Sequence, residues 1–187
     1  MKNTRDIRVV RTQTALLEAL EELIKKKKLS CITITDLCAQ AKINRNTFYY
    51  HYNNIFEFLD EHKQIVIEDI SNVLEKSKTH SKEGHIELCR SLKKHPHFLN
   101  ILISPNCDID YFNDIFEAAA KITEVFITDK TVTESGKDKL IYTYCNAGAN
   151  AVISSWILGG MKESPEDIAD IIWEASRKGP FNLMKLG

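Results

Sequence analysis

The sequence is poor in residues that interrupt helices. Four prolines and seven glycines are spread over 187 positions, too few for a fold built on turns. Strand-type patterning is limited to the TVT run Thr131–Thr133, so an all-α chain is expected. No apolar run approaches the roughly twenty residues needed to span a bilayer, and the N-terminus is polar rather than signal-like. The expectation is a cytoplasmic protein with no membrane partner. The five cysteines (Cys31, Cys38, Cys89, Cys107, Cys145) are odd in number, scattered, and form no CxxC, which fits a reduced compartment better than a disulfide scaffold. Cys107, in SPNCDID, is the best candidate for an exposed thiol. A glycine-rich phosphate loop, a nucleophile motif and a carboxylate-rich metal helix are all missing, which argues against an enzyme. His85 and Cys89 stand four apart and His95-Pro96-His97 lies nearby. Zinc sites use tighter, paired spacing, so neither a metal nor a cofactor is expected.

Charge of one sign is also lacking, since the formal net charge is −1. That near-balance hides a division. Residues 1–54 hold ten Lys/Arg against five Asp/Glu, a balance of +5, and residues 55–187 hold fifteen against twenty-one, a balance of −6. A basic head on an acidic body is directed toward a polyanion. Hydrophobic residues make up 43% of the chain, enough for a real core.

The richest stretch is TITDLCAQAKINRNTFYYHYNNIFEFL, residues 33–59. Thr33 with Asp36 three residues on makes an N-terminal capping pattern. Ile34, Leu37, Cys38 and Ala41 then recur at helical spacing. Lys42-Ile43-Asn44 breaks that helix, and Asn44 can cap a second one carrying Arg45, Asn46, Thr47, Phe48, Tyr49, Tyr50 and His51. Helix, short turn, helix is the arrangement whose second helix enters the major groove. Its residue types suit that task. Arg45 can pair with guanine O6 and N7, Asn46 with adenine N6 and N7, and the Thr47 methyl can touch thymine. Tyr49, Tyr50 and His51 carry polar tips for base edges or phosphates. Phe48 is expected to turn back into a small core with Leu37 and Ile43. The competing reading is a surface helix with packed aromatics. Ahead of this segment, Ile7 to Ile24 keep an apolar stripe within a helix expected over residues 6–28. Lys2, Arg5, Arg8 and Arg11 are placed to reach the DNA backbone. Lys25–Lys28 closes that helix with charges suited to its C-terminal dipole.

ITDLCAQAKINRNTFYYHYNN resembles the signature of the tetracycline-repressor (TetR) family of bacterial transcription regulators, with the resemblance strongest over about residues 5–59. GMKESPEDIADII, residues 160–172, is similar to one subgroup. The resemblance implies an all-α fold of about nine helices. Residues 1–54 would form a three-helix DNA-binding domain, and residues 55–187 a helical regulatory and dimerisation domain. It implies base contacts from Arg45, Asn46, Thr47 and Tyr49. Backbone contacts would come from Arg5, Arg8, Arg11, Thr33, Thr35, Tyr50, His51 and Asn54. Two positions depart from the pattern. A turn position that is often Gly is Lys42, where a left-handed backbone costs of order 1 kcal/mol. The Lys commonly found just after the recognition helix is Ile55, which removes one phosphate contact.

Beyond the head, helices are expected from Asn54 to about Lys76, over residues 85–94, from Pro96 to about Ile103, over residues 111–127, and then over residues 137–158 and 165–178. THSKEG, residues 79–84, is expected to be a loop. The last two helices are the expected dimer interface, carried by Ala147, Ala151, Ser155, Ile168, Ile171 and Ile172, in a symmetric four-helix arrangement. A dimer would set two recognition helices about 34–36 Å apart on a palindromic double-stranded operator. A small-molecule effector is an expected partner, with Phe98, Phe112, Phe116, Tyr142, Cys145, Asn146 and Trp156 as pocket candidates. The leading reading is a dimeric repressor. A helical co-regulator of the same fold, acting through a protein partner, is the alternative.

Overall fold

The computed structural model describes residues 7–76, 81–109, 111, 114–115 and 136–179. Among these the regular elements are eight α-helices and one 3-10 turn, and no strand is present. The expected helix over residues 111–127 and the TVT run lie largely or wholly outside the described residues.

Helix α1 (Ile7–Ile24) buries Leu16, Ala19, Leu20 and Ile24. These recur at three- and four-residue steps and so form one face. The helix ends four residues earlier than expected, and the chain passes through the 3-10 turn Leu29–Cys31, which buries Leu29. Helix α2 (Ile34–Ala41) and α3 (Arg45–His51) follow. Helix α4 (Ile55–Lys76) turns Ile55, Phe58, Leu59, His62, Val66 and Ile70 inward. Helix α5 (Lys82–Leu92) starts three residues before the expected position. Ser81 is its N-cap and accepts from the Gly84 amide at 3.1 Å. A glycine that reads as a loop residue therefore sits inside the first turn. Pro96 opens α6 (Pro96–Leu102), where its missing N–H costs nothing. Helices α7 (Gly136–Leu158) and α8 (Pro165–Lys178) complete the set.

The chain forms two compact units. The first holds Met1–Gln64 and His97–Tyr111. Its core is a relay of rings: Phe48 to Tyr52 at 5.5 Å, Tyr52 to Phe58 at 5.1 Å, Phe58 to His62 at 4.6 Å and His62 to Phe98 at 6.1 Å between centroids. Each of the three phenylalanine rings, Phe48, Phe58 and Phe98, is fully buried and contributes on the order of 1.5–3 kcal/mol through area removed from water. Polar contacts tie the late segment to α1 and the 3-10 turn. His97 Nδ1 meets Glu21 Oε2 at 2.7 Å, Asn100 Nδ2 donates to Glu21 Oε1 at 2.9 Å, and Asn106 Nδ2 donates to the Ile24 carbonyl at 2.7 Å.

The second unit holds Ile65–Pro96 and Phe112–Gly187. Within it α5 packs on α8. The His85 ring stands edge-on to Trp173 at 5.8 Å, Lys82 Nζ reaches Asp170 Oδ1 at 2.7 Å, and Arg90 Nε donates to Glu166 Oε1 at 3.0 Å. Ser164 and Asp167 form a capping box at the start of α8, with Pro165 as its first residue. Trp156 on α7 is buried, and its indole N–H donates to the Glu163 carbonyl at 3.1 Å.

Candidate nucleic-acid interface

The α2–α3 pair is fixed by its caps. The Asp36 amide donates to Thr33 Oγ1 at 3.1 Å while the Thr33 amide donates back to Asp36 Oδ2 at 3.0 Å, the reciprocal capping box. Lys27 Nζ lies 2.6 Å from the same carboxylate. The Lys27 hydrogen bond, followed by the two from Thr33, holds the Asp36 carboxyl well below the usual carboxylate range. Lys42 closes α2 with φ 56° and ψ 38°, the left-handed conformation anticipated where glycine is common. Asn44 Oδ1 accepts from the Asn46 amide at 2.8 Å and starts α3.

On α3 the division of labour is sharp. Phe48 is fully buried, while Arg45, Asn46, Thr47, Tyr49, Tyr50 and His51 are all exposed. Tyr50, at 83% exposure, stands edge-on to the His51 ring at 4.8 Å. Arg45 Nη1 donates to Thr35 Oγ1 at 3.1 Å, which joins a base-contact candidate to a backbone-contact candidate.

Several expected contacts have structural duties. Thr33 Oγ1 donates to Asp36 Oδ2 at 2.7 Å, so its hydroxyl is spent inside the cap. Asn54 Oδ1 accepts from the Glu57 amide at 2.9 Å and caps α4. Arg8 and Arg11 are exposed on α1, whereas Arg5 and Lys2 lie outside the described residues. Ile55 is buried at the head of α4. The departure from Lys thus exchanges a surface cation for core packing.

The sequence reading missed Gln13. Gln13, buried on α1, donates through Nε2 to Tyr52 Oη at 2.8 Å and to Glu61 Oε1 at 3.2 Å. This binds α1 to the residue that ends α3. The available signal was a polar side chain within the apolar stripe of α1.

The other candidates divide between the units. Phe98 is the last ring of the unit 1 core rather than a member of a pocket in the second unit. Cys145 and Asn146 are half-buried on α7, and Trp156 is buried there. Phe112, Phe116 and the Tyr142 side chain lie outside the described residues. A shallow groove lined by His51, Tyr52, Glu57, Asp60, Glu61 and Gln64 belongs to unit 1 and is strongly acidic.

Two of the six interface residues require correction. Ile168 and Ile172 are buried within the protomer, on an α8 that packs against both α5 and α7. Ala147, Ala151, Ser155 and Ile171 are exposed. The reading overlooked Leu140 and Tyr144, exposed by 72% and 69%, and Leu158, exposed by 66%. The thiols also differ from expectation. Cys107 is half-buried with Sγ 3.7 Å from the Ile109 carbonyl, and Cys31 is exposed. Burial, aided by the nearby Glu166 charge, pushes the Cys89 thiol up to about 12.

Comparison with known proteins agrees with this architecture. Residues 79–177, just over half of the chain, match the family model for a TetR-type transcriptional regulator C-terminal region. The chain is 22% identical over 167 residues to YxbF of Bacillus subtilis (strain 168), an uncharacterized HTH-type transcriptional regulator. That match takes in 84% of this chain and 42% of YxbF, so the chain spans less than half the length of this curated relative. Among solved structures, the fatty acid degradation regulator FadR from Bacillus halodurans superposes with a TM-score of 0.57 at 9% identity, covering 88% of this chain and 94% of FadR. The dihydroxyacetone kinase operon activator DhaS gives 0.54 at 19% identity, covering 91% and 97%. At such identities the likeness is one of fold. No described helix is long and apolar enough to cross a membrane. The matched C-terminal region and the helix-turn-helix ahead of it together place this chain in the TetR family of transcriptional regulators.

Proposed function

We propose that this regulator is a cytoplasmic homodimer that reads a palindromic double-stranded operator with α3 and represses by occupying it. The observation that carries this reading is the surface of α3: six consecutive-turn side chains are exposed, and each bears hydrogen-bonding groups suited to bases or phosphates. Arg45, Asn46, Thr47 and Tyr49 read base edges. Arg8, Arg11, Thr35, Tyr50, His51 and Asn54 hold the backbone, joined by Arg5 ahead of α1. Residues 1–54 carry the reading, and residues 55–187 carry dimerisation and control.

The dimer surface is the outer face of α7. Leu140, Tyr144, Ala147, Ala151 and Leu158 recur at three-, four- and seven-residue steps on an exposed face, while Ile153, Trp156 and Ile157 fill the opposite, buried one. A helix apolar on both sides is one that packs on both sides. A second copy of α7, with Ile171 at its margin, supplies the missing cover in a two-fold arrangement. A small-molecule effector, bound near Cys145, Asn146 and Trp156, releases the operator.

The test is selection of binding sites from a random duplex pool, followed by fluorescence anisotropy across a salt series. Enrichment of a palindrome, a steep salt slope, and loss of selectivity in Arg45→Ala are expected. A wild-type protein that enriches nothing would sink the reading. In that case the second reading, a co-regulator acting through a protein partner, takes its place. The buried Ile55, where a phosphate-binding Lys is common, is the observation that favours it.

A further inference from the structure

Arg45 occupies an unusual electrostatic position. It is the first residue of α3, where the helix dipole presents its positive end and a cation gains nothing. Among the described residues no carboxylate pairs with it. The nearest acidic group along α2, Asp36, is already taken by Lys27 at 2.6 Å and by the Thr33 cap. What does hold the guanidinium is the Thr35 hydroxyl, 3.1 Å from Nη1.

Resting on the proposed reading of DNA, we infer that Thr35 is a positioning residue for Arg45, fixing the guanidinium so that its free edge meets guanine. A guanidinium carries five N–H donors in a planar fork. With Nη1 engaged by Thr35, the Nε–Nη2 edge keeps both of its donors, the pair that matches O6 and N7 of guanine. The Thr35 hydroxyl accepts from Arg45, so its own hydrogen is left to donate to a phosphate oxygen. One side chain then links the backbone contact that sets register to the base contact that sets sequence. A plain phosphate contact would do neither through Arg45. The linkage lies between α2 and α3, whose mutual placement is already fixed by the caps and the Lys42 turn.

The experiment is a double-mutant cycle on the operator selected by the wild-type protein. Thr35→Val, Thr35→Ser, Arg45→Ala and the Val/Ala double variant are compared by anisotropy. Each is also measured on the operator carrying 7-deazaguanine, which lacks N7, at the guanine protected by Arg45. Thr35→Val is expected to weaken binding about tenfold and to erase most of the penalty for 7-deazaguanine, while Thr35→Ser restores both. In the Arg45→Ala background the same Val substitution should cost clearly less, only the share that belongs to the phosphate contact. Equal losses in both backgrounds, with the 7-deazaguanine penalty intact in Thr35→Val, would reduce Thr35 to an independent phosphate contact and overturn the inference alone. Failure of the wild-type protein to select any sequence would instead remove the DNA reading, and this inference with it.

Discussion

Helices α3 and α7 are both exposed, and they expose opposite chemistry. The seven residues of α3 bury Phe48 and present Arg45, Asn46, Thr47, Tyr49, Tyr50 and His51 to solvent. The twenty-three residues of α7 present Leu140, Tyr144, Ala147, Ala151 and Leu158. A polar-tipped face on a short, tightly capped helix suits a hydrated, charged partner that reads positions one by one. An apolar face on a long helix suits a surface of its own kind, where area matters more than the identity of any one contact. Exposure alone distinguishes neither. The residue types on the exposed face do.

The sharpest way to break this contrast is to charge the α7 face. Leu140→Glu with Tyr144→Arg should give a monomer by sedimentation velocity and weaken operator binding by roughly 10²–10⁴-fold, since two linked heads bind with avidity. Unchanged mass would show that α7 is covered by something other than a second copy. Next in size is the one buried side chain of α3. Phe48→Ala should cost on the order of 3–5 kcal/mol in denaturant melts, because Tyr52 and Phe58 both lean on that ring. A loss below about 1 kcal/mol would mean that the ring relay does not hold α3 in place.

Much of this was legible in the residues. Thr33 with Asp36 and Asn44 before Arg45 are short-range signals, and each caps what it was expected to cap, while Pro165 opens the last helix where that helix was expected to begin. The failures are non-local. Periodicity put Ile168, Ile171 and Ile172 on an apolar stripe of α8, but it cannot say which neighbour a stripe meets. Two of them face the protomer interior, and only Ile171 is open. Phe98 was legible as an aromatic on a helix, yet its partner His62 lies thirty-six positions away and carries no sequence mark of that pairing. Thr35 was named as a backbone contact, but its bond to Arg45 depends on the angle of the turn between their helices.

Smaller effects probe the joint between α2 and α3. Lys42→Gly should stabilise the protein by up to about 1 kcal/mol, since only glycine adopts that positive φ without cost. A destabilised variant would mean that the lysine side chain contributes more than its backbone costs. Smallest of all is an acid effect at Asp36. Its carboxyl is held below its unfolded value by Lys27 and Thr33. The stabilisation is therefore complete above about pH 4 and fades as pH falls through the lower, folded value. Denaturant midpoints should decline below about pH 4 in the wild-type protein and less so in Asp36→Asn. Parallel declines would remove Asp36 as a contributor.

The first compact unit draws on two stretches of chain, with Tyr111 at its far limit. During synthesis this has a temporal consequence. Gln64 and the whole helix-turn-helix leave the ribosome early, yet the partners of Glu21 and Ile24, namely His97, Asn100 and Asn106, follow only after α5 has been made. At about 5–20 residues per second, the closing segment trails Gln64 by some seconds. Through that interval the nascent head has its recognition helix but not its last wall, so completion of the reader waits on the middle of the message.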